Sequence, residues 1–188
     1  MAARALKPGV RRACRRVWPG VALGWLALLL PAPPARAADD DALKAAVVFN
    51  ILLFVEWPGE ADAPPEAPLR VCASRGGSLW PQLERLQDRS VRGRRVQLTE
   101  VAADIHYHDC NVLVLEGSVA AARALPRELR GLPVLVVADG AGGVGDGIAL
   151  SLQMSNGRVV FDADPESARR NGLQLSSRLL RLARNLRQ

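Results

Sequence analysis

The sequence predicts an α/β fold: a single domain on a mostly parallel sheet of about six strands flanked by helices in Rossmann-like layers, closed by a C-terminal hairpin and a terminal helix. Three observations carry this. The stretches "NVLVLE" at 111–116 and "PVLVVAD" at 133–139 are unbroken runs rich in leucine and valine, the pattern of strands covered on both faces. Between them "GSVAAARALPRELRG" supplies a short helix, and strand, helix, strand with short connections makes a βαβ unit. Further on, "GIALSLQM" and "RVVFDA" flank "SNG", a hairpin turn signal.

The first 37 residues are read apart from this domain. Arg4, Lys7, Arg11, Arg12, Arg15 and Arg16 precede the apolar run "VALGWLALLL", which leads to "PAPPARA" and an A-x-A site at Ala35-Arg36-Ala37. That order is a secretory signal peptide, with cleavage expected after about Ala37 and residues 38–188 remaining as one periplasmic domain. The ten-residue apolar run from Val21 to Leu30 is well short of the roughly 20 residues that span a bilayer. No Phe-Leu-Lys-like continuation follows the arginine pairs, which favours the general export route over the twin-arginine one.

The cut changes the electrostatics. Residues 1–37 hold seven of the 25 Lys and Arg and none of the 19 Asp and Glu, leaving 18 against 19 and a net charge of −1. The basic character of the whole chain belongs to the leader. Nucleic acid, which needs a basic face on the folded domain, is therefore not an expected partner. Of three cysteines, Cys14 leaves with the leader, and Cys72 and Cys110 remain. An even pair in an oxidising compartment favours a disulfide over free thiols, although spacing alone does not show that the two meet.

The remaining elements follow in order. Aspartates 39–41 are placed to cap a helix. From Ala42 to Trp57 runs a 16-residue segment, about 24 Å as a helix and interrupted by Lys44, Asn50 and Glu56, so it reads as a buried helix ending before Pro58. Val47, Ile51, Phe54 and Val55 form its expected core face, widened by Leu43, Val48 and Leu52. Glu56 and Trp57 either close the core or face a partner or second protomer. After a Pro- and acid-rich loop, "LRVCA" at 69–73 is a strand. Ser78 is the expected cap of a helix with Pro81 in its first turn and Trp80, Leu83 and Leu86 at helical spacing. "RRVQLTEV" alternates as a strand with one wet face. At the C-terminus Asp164 caps and Pro165 starts a helix whose leucines 175, 179, 182 and 186 form one stripe.

Two segments invite chemistry. "GAGGVG" at 140–145 matches G-x-G-x-x-G, but a pyrophosphate needs a helix directly afterwards and the next element is a strand, so no nucleotide cofactor is expected. In "HYHDC", His106 and His108 would share a face on extended backbone and are weak candidates for a divalent metal, with Asp109 or a distant carboxylate completing the set. The bland reading is a polar turn entering a buried strand, and a bridged Cys110 would leave the ligand set thin, so no metal is assigned. No nucleophile elbow, activated cysteine or distinctive carboxylate pair is present, and no catalytic residue is expected.

Taken together, "FNILLFVEWP", "LRVCAS", "VRGRRVQLTEV", "DCNVLVLEGS", "GIALSLQMSNGRVVFDAD" and "ARRNGLQLSSRLLRLA" resemble, in order and over nearly all of residues 38–188, the YfiR family of periplasmic proteins. The resemblance implies a non-enzymatic α/β regulator that binds the periplasmic part of an inner-membrane signalling protein. That partner would be a diguanylate cyclase above all, or otherwise a sensor kinase. Within the family a lipoprotein can sequester the repressor and release cyclic di-GMP synthesis, homodimers form, and redox state matters. By position, Cys72 and Cys110 correspond to a pair that forms a bridge in the family. The second cysteine pair of its best-known member, expected near 140–155, is missing here, and Asp164 stands where the family often has Asn. A periplasmic small-molecule or metal-binding protein, resting on "HYHDC" and the glycine-rich loop, is the alternative.

Overall fold

The computed structural model describes residues 35–59, 64, 67–101, 107–117, 129–140 and 143–187. The first helix, α1 (Ala35–Leu52), precedes the short strand β1 (Val55–Glu56). Then come β2 (Leu69–Ala73), α2 (Trp80–Glu84), β3 (Ser90–Val91), β4 (Arg94–Glu100), a 3₁₀ turn at Tyr107–Asp109, β5 (Val112–Glu116) and β6 (Leu135–Asp139). The hairpin β7 (Leu150–Ser155) and β8 (Arg158–Ala163) follows, and α3 (Pro165–Arg170), β9 (Gln174–Leu175), α4 (Ser177–Leu180) and β10 (Asn185–Leu186) end the chain.

The main sheet has the order β10-β8-β7-β6-β5-β2-β4-β3, with β4, β2, β5, β6 and β7 mutually parallel and β8 antiparallel to β7. The expected α/β sheet of about six strands is therefore present, extended at each edge by a two-residue strand. Both hairpins turn through two residues of positive φ. Arg92 (51°) and Gly93 (86°) link β3 to β4, and Asn156 (50°) and Gly157 (72°) link β7 to β8, as tight primed turns require.

Strands β5 and β6 are buried on both faces, which is why their sequences do not alternate. Val112, Val114, Leu135 and Val137 pack on the α1 and α2 side, while Leu113, Val136 and Ala138 pack on the other with Leu129 and Ile148. Each such buried valine, leucine or isoleucine contributes about 1.5–3 kcal/mol of hydrophobic stabilisation. Cys72 and Cys110 lie in this second cluster and are joined by a disulfide, linking β2 to the entry of its neighbour β5. Closing a loop of 38 residues contributes about 3–4 kcal/mol on the chain-entropy model.

Five local expectations need correction. Helix α1 begins at Ala35, so the aspartates 39–41 lie within it instead of capping it, and Asp41 sits one turn from Lys44. It stops at Leu52: the Leu53 and Phe54 amides tighten onto Asn50 and Ile51, and Val55 and Glu56 pair with β9. A strand partner won over helical periodicity there, and Leu43, expected to be buried, is exposed. Ser78 does not cap α2; Leu79 occupies that position. The single C-terminal helix and its leucine stripe are absent. Asp164 caps α3 by accepting from the Ser167 amide, but Gly172 at φ 73° turns the chain, Ser176 starts α4 and β10 ends it, leaving Leu182 and Leu186 exposed. The helix expected between β5 and β6 falls mostly on residues outside those described.

Candidate interaction surface

In an open parallel sheet, ligands bind outside the carboxyl ends of the strands where the winding direction reverses. Here that point lies between β2 and β5, because the chain steps outward from β2 to β4 and then returns to β5 on the other side. The crevice is filled by the protein itself. Glu116, the last residue of β5, accepts hydrogen bonds on Oε2 from the Leu79 amide (3.1 Å) and the Ser78 hydroxyl (3.2 Å), and so occupies the amino end of α2. Its carboxylate lies against Gly77, where any Cβ would collide with it. Farther along the same edge, Lys44 of α1 donates to Asp139 of β6 at 2.8 Å. Burial pulls this ammonium down, but the hydrogen bonds and charges of Asp139 and Asp41 outweigh it and hold the group above the ordinary lysine range.

The glycine-rich loop fares the same way. Beyond Gly143 the chain forms an isolated Gly145–Ile148 bridge and enters β7, with no helix to receive a phosphate. Of the histidine segment, His106 lies outside the described residues. His108 sits in the 3₁₀ turn with Nε2 3.7 Å from Asp109 Oδ1, so the turn does not present it as extended backbone would. Among the described residues no three metal-ligating side chains come together. No described helix is long and apolar enough to cross a membrane.

A different surface stands out. A groove of about 470 Å³ runs between α1 and β8, floored by Ile51, Phe54 and Phe161 and walled by Val159, Leu179 and Leu182. Its rim is Arg184, whose guanidinium pairs with Asp162 at 2.7 Å and with Gln153. The hydrogen bond from Arg184 keeps the Asp162 carboxyl below its ordinary value although burial opposes it. Leu182 is 68% exposed, the largest exposure of any big apolar side chain among the described residues. An apolar trough with an exposed leucine at its lip has the form of a surface that a protein partner or an apolar ligand would cover.

A family model described as YfiR/HmsC-like matches residues 41–184. The chain belongs to the YfiR/HmsC-like family. No curated protein matches it. The YfiR/HmsC-like family is regulatory and periplasmic. Trp57, whose role the sequence left open, is 6% exposed and donates from Nε1 to the Asn111 carbonyl oxygen at 3.1 Å, so it belongs to the core, while Glu56 beside it is exposed. Sequence reasoning missed both the groove and Glu116. The groove joins residues more than 100 positions apart; the only trace of the Glu116 contact is the paired glycine in "GGSLW", which leaves room for a carboxylate.

Proposed function

We propose that this protein is an exported, non-enzymatic regulator whose mature domain, 38–188, binds the periplasmic part of an inner-membrane diguanylate cyclase and holds it inactive. The observation that carries the reading is the apolar groove between α1 and β8, joined to membership in the YfiR/HmsC-like family. Repression requires tighter binding to the inactive cyclase than to the active one, since equal affinity shifts nothing. An exposed leucine beside a preformed trough offers such a contact with an apolar segment of the partner. A lipoprotein competing for the protein would relieve repression, and the disulfide fits an oxidising compartment. The test is cellular cyclic di-GMP after deletion of the gene, with the candidate cyclase expressed: a rise is expected, and an unchanged level would overturn the reading.

A further inference from the structure

At the end of the sheet where β6 and β7 begin and β8 finishes, a cavity of about 690 Å³ is lined by Arg130, Arg170, Arg187, Asp146, Asp164 and Glu166. Its charges are not evenly satisfied. The Asp164 carboxylate is consumed by the Ser167 amide and hydroxyl, and Glu166 pairs with Arg169. The guanidiniums are steered by neutral oxygens instead: Arg170 donates to the Ser167 hydroxyl and Arg187 to the Val144 carbonyl, each at 2.8 Å. Arg130 has no ion pair or hydrogen bond among the described residues. A Cβ on Gly145, itself at φ 111°, would meet the Arg187 guanidinium, so the loop backbone and this guanidinium lie directly against each other.

We propose that this cavity binds a small phosphorylated anion through Arg130, Arg170 and Arg187. Three planar guanidinium forks call for an anion with more oxygens than a carboxylate offers, and a phosphate monoester presents three charged oxygens in a tetrahedral array. The cavity exceeds the size of a lone phosphate, leaving room for the organic part, and Asp146 remains to accept a hydrogen bond from a hydroxyl on it. The site shares no lining residue with the groove and stands independently of the proposed regulatory role.

Titration calorimetry on the protein recovered from the periplasm, with glycerol 3-phosphate, inorganic phosphate and citrate as probes, tests this. Saturable binding of glycerol 3-phosphate is expected, weakened roughly ten- to a hundredfold by Arg130→Gln, which breaks no hydrogen bond or ion pair among the described residues. The Arg170→Gln variant should behave likewise. Binding to phosphatidylglycerol vesicles, sensitive to Arg130→Gln and without binding of the free ester, would retain the phosphoryl site and assign it to a lipid headgroup. No binding of any phosphoryl probe, binding indifferent to Arg130→Gln, or citrate bound as tightly as the ester would overturn the proposal.

Discussion

The indole of Trp57 and the backbone carbonyl of Asn111 are joined at 3.1 Å, tying the end of the α1–β1 segment to the entry of the central strand β5. Asn111 is a crossroads: its side-chain Oδ1 accepts from the Arg70 amide and from Arg94, and its carbonyl also accepts from the Leu135 amide. Trp57→Ala should cost about 3–5 kcal/mol, the usual range for removing a large aromatic from a core. Trp57→Phe, which keeps most of the ring and loses the hydrogen bond, should cost about 1–2 kcal/mol. Urea unfolding monitored by circular dichroism measures both, and a loss under about 1 kcal/mol for the alanine variant would place Trp57 outside the core.

Glu116 and Gly77 should behave as a coupled pair. Removing the carboxylate in Glu116→Ala leaves the start of α2 without its acceptor, at a cost of about 1–2 kcal/mol, as for a lost helix cap. Gly77→Ala should reach a similar cost by pushing the same carboxylate away. A double-mutant cycle therefore predicts a loss smaller than the sum of the two; strict additivity would show that they act separately.

Two ion pairs set opposite limbs of the pH–stability curve. Asp162 has a depressed folded-state pKa, so its contribution is fully present above the unfolded value of about 3.9 and is lost as pH falls through the folded value. Lys44 has a raised one, so its contribution is present below about 10.4 and lost as pH rises through the folded value. The stability difference between wild type and Asp162→Asn should shrink in acid, where the carboxyl takes up its proton, and that for Lys44→Met should shrink in alkali, where the ammonium loses its proton. A difference independent of pH in either case would remove the assigned pair.

The Cys72–Cys110 bridge lies in the buried second face of the sheet. A Cys72→Ser, Cys110→Ser double variant should lose about 3–4 kcal/mol or slightly more, from loop entropy together with burial of two hydroxyls. Mass mapping of the oxidised protein without reductant should recover the two cysteines in one linked peptide pair; free thiols would contradict it.

Much of the fold was legible because the signals were strong and local. The valine and leucine runs of β5 and β6 cannot be solvated, and Asn156-Gly157 permits only a tight turn. The failures came where distant partners outweighed local preference. Val55 left the helical pattern to pair with Leu175, and the C-terminal leucines, evenly spaced for a helix, were divided among β9, which holds Leu175, α4, which holds Leu179, and β10, which holds Leu186. The groove depends on this division, since a continuous helix would have carried Leu182 on the same stripe as Leu179. No sequence pattern announced it, because Ile51, Phe161 and Leu182 meet only once the sheet is wound.

The most direct measurement is cellular cyclic di-GMP in a deletion strain carrying either the wild-type gene or Leu182→Asp, with export and melting temperature of the variant checked to match. The expected result is that deletion raises cyclic di-GMP, the wild type lowers it again, and Leu182→Asp, placing a charge at the lip of the groove, does not. A level unchanged by deletion while the cyclase is expressed, or full restoration by Leu182→Asp, would contradict repression through this groove.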